Sequence, residues 1–401
     1  MQIKVLHFND NYGLVGGAER YFHGVCEELR KKNVITYKVG FSDETKRKGK
    51  WEFTIRSPLN SKIWPFLSYF SPAIYEQFNH ILKKTKPDIV HIHNNYLSSI
   101  SVLKPCIDLK IPVIQTVHDF MLVCPTGWAV RKKNYSLCPK LYCGFPCVVN
   151  KCLSLAHYMF IKPRWDWREK YLRKINMFLT PSSELKGELE KKYDNVKLLR
   201  NFVDFGKYQF VGYKKYQRNM LLYIGALEEG KGVKQLIYAL KRVVKEKPQT
   251  RLKIIGDGPQ RKNLESLVVK LNLDKNVDFL GFRSNVSLYL KNAHCLILPS
   301  IWRECSPVVF YEAMASGKYL LGSDRGGTRE LIEESGCGDI FDPLNVENFA
   351  EKILAVLEKE ENELAKIGKL GREFVKRKAN LKAHLNKLIS IYSIFAGGYK
   401  I

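Results

Sequence analysis

No apolar run in this chain exceeds strand length, which excludes the span of about 20 residues that a transmembrane helix needs. There is no low-complexity tract and no short-period repeat, so neither a disordered chain nor a solenoid is expected. The start, "MQIKVLHFND", lacks a basic region followed by a long apolar stretch, and no signal peptide is expected. No Asp-any-Asp triplet occurs, so one common acidic pair for holding a divalent ion is missing. Acidic residues are scarce overall: 40 Asp and Glu face 66 Lys and Arg, a net charge of +26. The first 200 residues hold 33 basic and 17 acidic residues, against 33 and 23 in the remainder. Such a field favours anionic partners: nucleic acid, acidic lipid or phosphorylated substrates. Solvated surface lysines explain it equally well, and no known RNA or DNA module accompanies the charge.

What is present points to an ordinary folded protein with room for two cores, at 401 residues and 45% hydrophobic. Strand-like runs recur: "IKVLHF", "DIVHIHN", "VIQTVHD" and "NMFLTPSS", then "MLLYIGAL", "RLKIIGDG", "VDFLGF", "CLILPS" and "YLLGSDRGG". Amphipathic helices such as "GVKQLIYALKRVVKEK" separate many of them. Apolar strands alternating with helices imply parallel sheets covered on both faces. The fold class is therefore α/β, with two doubly wound domains. The expected boundaries are 1–205, a linker over 206–218, and 219–380. The helix from about 380 to 401 is apolar on one side and is placed back across the first domain. A cytoplasmic location is expected.

In open α/β sheets, ligands bind beyond the carboxyl ends of the strands, so the loops there carry the interest. "ECSPVVFYEAMASG" sets Glu304 and Glu312 at either end of seven residues. Ser306 suits an N-cap, Pro307 the first helical position and Gly317 the position past the end, giving a helix over 307–316. Its free N–H groups form an anion site, and an acid beside them suits sugar hydroxyls rather than phosphate. "GGAE" places Gly16 and Gly17 after the first strand at a helix start. "TVHD" puts His118 at a strand tip, and "GALEEGKG" puts Lys231 at a helix start. "GDGP" (from Gly256) and "GGTRE" (from Gly326) are further turns of this kind. Taken singly, each has a bland structural explanation.

Half of the ten cysteines cluster at Cys124, Cys138, Cys143, Cys147 and Cys152. Their spacing has the local reach for zinc but no paired C-x-x-C ladder, and buried free thiols are the preferred reading. No metal ligand is assigned.

Taken in order, these motifs resemble the retaining glycosyltransferases of family 4, over nearly the whole chain. The glutamate pair with "AMASG" and the downstream "GGTRE" are the most specific elements. The resemblance implies two Rossmann-like domains facing a cleft, the GT-B architecture, and transfer of a hexosyl group from a nucleotide-sugar donor. It makes Glu304 and His118 the catalytic residues, both against the donor sugar, and gives Glu312 to the nucleotide ribose. Lys231 is assigned to the diphosphate, Gly16 and Gly17 to the opposite wall, and the amides around Cys305 and Ser306 to sugar and diphosphate. Turns at Gly256 and Phe282 frame the base, which stays open between UDP and GDP types. No cofactor is implied beyond this donor.

The family often has an arginine five residues before the lysine; here that position is Ala226, with Arg303 or Arg325 as substitutes. The acceptor is expected to be a glycan or a lipid-linked sugar in cell-surface polysaccharide assembly. A sugar-nucleotide epimerase, a nucleic-acid-binding protein and an inactive scaffold are the alternatives. Aromatic and basic residues interleave in "HYMFIKPRWDWREKYLRKINMF", which suits peripheral contact with an anionic membrane at its inner face, or a partly buried helix.

Overall fold

A computed structural model describes residues 2–10, 16–42, 53–56, 70–95, 100–213 and 216–397. Residues 214–215 of the expected linker and 398–401 of the last helix lie outside the described residues. The first half contributes β1 (Lys4–Asn9), β2 (Ile35–Ser42), β3 (Phe53–Arg56), β4 (Ile89–Ile92), β5 (Val113–Thr116), β6 (Met177–Thr180) and β7 (Val196–Leu198). They form one sheet in the order β3-β2-β1-β4-β5-β6-β7, with every pair parallel. The second half contributes β8 (Met220–Ile224), β9 (Arg251–Ile255), β10 (Val277–Gly281), β11 (Cys295–Leu298), β12 (Tyr319–Ser323) and β13 (Gly338–Phe341). Their order is β10-β9-β8-β11-β12-β13, again all parallel. In both sheets the order reverses beside the first strand, which opens a crevice at its carboxyl end.

Inner strands are apolar throughout because helices cover both faces; β4 and β11 are buried at every position. The helix Val233–Glu246 shows the complementary pattern, burying Leu236, Ile237, Leu240 and Val243 on one stripe. After the helix Glu361–Lys378 the chain returns to the first domain. Val203 N–H donates to Ala379 O (3.1 Å), and Asn380 caps the helix Leu381–Phe395 by accepting from Ala383 N–H. That helix buries Leu385, Leu388, Ile389 and Tyr392 with Ile3, Val5, Phe22 and Leu29. Each such side chain contributes about 1.5–3 kcal/mol of burial, enough to hold the return segment in place.

The connection after β7 is packed rather than free. Tyr213 hydroxyl donates to His294 O (2.8 Å) and accepts from Tyr319 N–H (2.7 Å). Lys318 is buried and donates to the carbonyls of Gly212, Lys291 and Ala293, tying this segment to the second sheet. Among the described residues no helix is long and apolar enough to cross a membrane.

Candidate active site

Glu304 ends a short loop after β11, and its carboxylate is buried. A single oxygen, Oε1, accepts from Lys231 Nζ (2.8 Å), Ser300 Oγ (2.5 Å) and Trp302 Nε1 (2.7 Å). Burial pushes this carboxyl up, but the Lys231 charge and the three hydrogen bonds outweigh it and hold it below the ordinary value. It is therefore a carboxylate fixed in one rotamer. The resemblance gave Lys231 and Glu304 to different parts of the donor; the structure makes them partners. The loop's backbone is anchored too, since Gly327 N–H donates to Glu304 O (2.7 Å).

The helix after this loop spans Val308–Ala315, one residue shorter at each end than the sequence suggested. Its N-cap is Pro307, in an extended conformation with no side-chain cap. Ser306 does not cap: its hydroxyl lies 2.9 Å from Tyr311 hydroxyl, and this local bond competes with capping. Opposite, the helix Gly17–Arg30 begins after Gly16, whose N–H donates to Glu19 Oε2 (2.9 Å). A Cβ on Gly17 would lie 3.1 Å from Val308 Cγ2, so glycine lets the two helix starts meet across the cleft. Two sets of free N–H groups thus converge, as an anion site requires.

Glu312 lies inside its helix, buried, accepting from Tyr208 hydroxyl (2.6 Å), with Arg20 Nη1 at 3.8 Å. Burial raises its carboxyl despite both partners. His118 stands at the tip of β5, with Nε2 at 3.4 Å from His93 Nδ1 and its ring edge-on to Tyr21. His93 Nε2 is in turn 3.1 Å from His7 Nδ1. Burial lowers all three: His7 and His118 to about 3, His93 well below its ordinary value. They are neutral imidazoles at neutral pH.

Gly256 has φ +137°, and a Cβ there would meet Gly225 O at 1.8 Å, so the base-side turn tolerates no side chain. Phe282 is 60% exposed on the same side. Neither proposed substitute for the missing arginine is free. Arg303 is paired with Glu184 and Glu188 of the first domain, and Arg325 with Asp324 and Asp342. Nearby carboxylates hold both guanidinium groups in this structure.

Residues 15–207 match the profile of Glycosyltransferase Family 4, and residues 204–374 that of Glycosyl transferases group 1. An uncharacterized glycosyltransferase of Methanocaldococcus jannaschii is 34% identical over 362 residues, 87% of either chain. The chain belongs to the family 4 glycosyltransferases. Another uncharacterized glycosyltransferase of that archaeon is 27% identical over 68% of this chain, and the match spans 64% of its own length. The Anabaena protein HepE, solved with UDP and glucose, shares the fold. Its TM-score is 0.72 at 15% identity, covering 98% of this chain and 100% of that one.

Several residues of this glycosyltransferase's cleft escaped the sequence reading. Arg20 directly follows "GGAE" and reaches Glu312 from the other domain. Trp302 supplies both a donor to Glu304 and a ring 4.8 Å from Lys231 Nζ. Glu330 of "GGTRE" faces the first domain, accepting from Ser183 N–H (2.9 Å) and Ser182 Oγ (3.0 Å) at a helix start. Sequence signals existed for Arg20, by adjacency; Glu330 needed the tertiary fold.

Proposed function

We propose that this enzyme transfers a sugar, with retention, from a nucleoside-diphosphate donor to a glycan or lipid-linked acceptor in cell-surface polysaccharide assembly. One observation carries the reading: the buried Lys231–Glu304 pair sits beside the start of the helix Val308–Ala315, which meets the start of the helix Gly17–Arg30 across the cleft. A diphosphate at these N–H groups draws Lys231 toward itself, and the carboxylate so released accepts hydrogen bonds from donor-sugar hydroxyls. Glu312 then serves the ribose, His118 the sugar near the reacting carbon, and the turns at Gly256 and Phe282 the base. Retention follows from same-face substitution, in which the leaving oxygen helps remove the acceptor proton. The complex of HepE with UDP supports a uridine-type donor over the guanosine type.

The test is a thermal-shift screen of UDP- and GDP-sugars, followed by NMR of the anomeric product. Ligand binding to the native state raises the melting temperature. Expected are a shift with one donor class and a product of the donor's own anomeric configuration. An inverted product, or no shift with any nucleotide sugar, sinks the reading.

Peripheral membrane contact is part of this proposal. Phe145, Val149, Leu155 and Met159 are all exposed, at the short helix Pro146–Val149 and the start of the helix Leu155–Leu172, with Lys151, Lys162 and Arg164 close in sequence. Apolar side chains among cations suit an anionic lipid surface. Liposome flotation should show recovery with anionic vesicles that falls with salt; equal recovery with neutral vesicles counts against it.

A further inference from the structure

We propose that His93 and His7 are positioning residues that hold His118 in its Nδ1–H tautomer, so that this histidine meets the donor sugar as a hydrogen-bond donor and never as a base. The consequence for transfer rests on the reading of His118 given above; the tautomer itself does not.

The strands set the chain of rings in place. His7 on β1 is in register with His91 on β4, and His93 lies two residues further along, on the same face. His93 N–H donates to Phe8 O (2.9 Å) and Val117 N–H to Leu179 O (2.7 Å), which anchors the backbone beside each ring. His7 Nδ1 is 3.1 Å from His93 Nε2, and His93 Nδ1 is 3.4 Å from His118 Nε2. The corresponding ring centroids are 5.4 and 5.7 Å apart, with planes 22° and 16° from parallel. Each separation matches its N···N distance lengthened by one ring radius at either end. The three rings therefore lie edge to edge with each nitrogen aimed at the next, as an N–H···N bond requires. Tyr21 steadies the last ring from the side. It stands edge-on to His118 at 5.1 Å, and its hydroxyl bonds His384 Nε2 (2.9 Å).

Proton counting decides the tautomers. A neutral imidazole has one N–H and one lone pair, and the bond made by one nitrogen settles what the other carries. Burial keeps His7, His93 and His118 neutral, so three protons serve two contacts and one N–H is left at an end of the chain. In one arrangement His118 donates to His93, His93 to His7, and the last N–H falls on His7 Nε2. That atom is buried and has no hydrogen-bond partner. His91 cannot serve it, because its own nitrogens are taken by Tyr392 hydroxyl (2.6 Å) and Thr116 Oγ1 (2.8 Å). The chain crosses the sheet from β1 to β5, so its end at His7 is the one nearest β2, where Lys38 is buried in register with His7. The charges of Arg30 and Lys38 act on His7 and disfavour the positive end of an N–H there. The other arrangement reverses both bonds. His7 Nδ1–H donates to His93 Nε2, His93 Nδ1–H donates to His118 Nε2, and only a lone pair is left at His7 Nε2. An under-satisfied buried acceptor is tolerated more often than an orphaned N–H. The third proton then sits on His118 Nδ1, in a half-buried ring, where among the described residues nothing bonds it.

The second arrangement has a chemical consequence. Both nitrogens of His118 are committed: Nε2 accepts from His93, and Nδ1 offers its hydrogen to an oxygen of the sugar. No lone pair remains to take a proton from the acceptor hydroxyl. That proton goes to the leaving diphosphate oxygen, as same-face substitution requires.

The test is two-bond nitrogen–proton correlation NMR on the full chain labelled at its histidine nitrogens, at neutral pH and without ligand, with His118→Gln to assign the signal. The parent should show His118 protonated at Nδ1 alone. A signal of the Nε2–H form, or of an imidazolium, overturns the proposal. His93→Phe keeps a ring and removes the donor, so both tautomers of His118 should appear. His93→Asn places an amide N–H where Nδ1 stood and should restore the single form. An unchanged tautomer in folded His93→Phe overturns the proposal; if that variant does not fold, the parent spectrum still decides. So does zinc in the purified chain that is lost on His7→Phe, because His7, His91 and His93, whose ligand atoms lie within 4.8 Å of one another, would then hold an ion rather than a chain of protons. In transfer assays His93→Phe should lower kcat about tenfold with KM little changed, and His93→Asn should recover most of it. A His93→Phe enzyme as fast as the parent overturns the consequence for transfer. Failure to bind any nucleotide sugar would sink the proposed function without altering these spectra.

Discussion

The carboxyl edge of the first sheet is built from neutral imidazoles, and that of the second from paired charges. Eight of the nine histidines belong to the first domain or its returning helix, and His7, His91 and His93 are fully buried at the edge. Across the cleft, Lys231 and Glu304 form a buried pair with Ser300 and Trp302 around it. The same topology has been given two electrostatic characters. The second edge can meet a leaving diphosphate, whose charge grows during reaction, with groups already in place. The first holds one proton per imidazole and carries no net charge at neutral pH.

The largest expected effect breaks the charged edge. Glu304→Ala should lower turnover by about 10²–10³-fold, the usual consequence of removing one preorganised group at developing charge. Glu312→Ala should act mainly on the apparent affinity for donor, because in the proposed reading it serves the ribose. Measured kcat and KM separate the two, since loss of a contact made mainly in the transition state leaves KM little changed. A Glu304→Ala enzyme as active as the parent removes this assignment.

Lys231→Ala should lose about 2–5 kcal/mol of transition-state stabilisation, because Glu304 is left buried without its cation. Ala226 offers no second cation, and Arg303 and Arg325 are paired with carboxylates, so in the proposed reading the lysine carries the load. With no Asp-any-Asp pair, transfer should continue in excess chelator. Activity abolished by chelator and restored by magnesium would instead put a metal on the diphosphate.

The imidazole edge is sharpened by pH. Burial holds His7 and His118 near 3 and His91 and His93 well below 6.5. Below pH 6.5 the unfolded chain takes up protons that the folded one refuses, so stability is full above that value and falls as pH drops toward 3. Each histidine contributes about 1.4 kcal/mol per pH unit across this window. Urea unfolding followed at pH 7, 6 and 5 should show the first domain failing before the second, which contains His294 alone. Equal loss in both domains would mean that the imidazoles do not set the acid limit.

Much of this comparison was legible in the sequence, and what was not has identifiable causes. Central strands such as "CLILPS" and "DIVHIHN" read clearly because burial on both faces makes them apolar throughout. Missed were β2, β3, β7 and β13, which lie at or next to sheet edges where polar residues are tolerated. Glu304, Lys231 and Glu312 were singled out through motif spacing. Their partners were not, because Ser300, Trp302 and Tyr208 carry no spacing signal. Ser306 was misread as a cap since a local hydroxyl contact with Tyr311 cannot be weighed from order alone. The imidazole chain is invisible in sequence for a related reason: His7, His93 and His118 meet only when β1, β4 and β5 are side by side.

The smallest expected effect tests how the two edges are held together. Arg20 reaches across to Glu312 at 3.8 Å with 38% of its side chain exposed. Arg200 bridges the domains to Glu330 (2.9 Å) and Glu334 (2.6 Å) with 8% exposed. A pair spaced at 3.8 Å whose cation is open to solvent is worth about 0–1 kcal/mol and weakens with salt, whereas removing a buried, close-contact cation strands a charge. Arg20→Ala should therefore change donor affinity less than about fivefold, with the difference vanishing in high salt. Arg200→Ala should lower the unfolding midpoint measurably at any ionic strength. If Arg20→Ala is the more damaging of the two, Arg20 is meeting the donor itself rather than steadying Glu312. The cation missing at Ala226 would then be supplied from the opposite domain, and the division between a charged and a neutral edge would no longer hold.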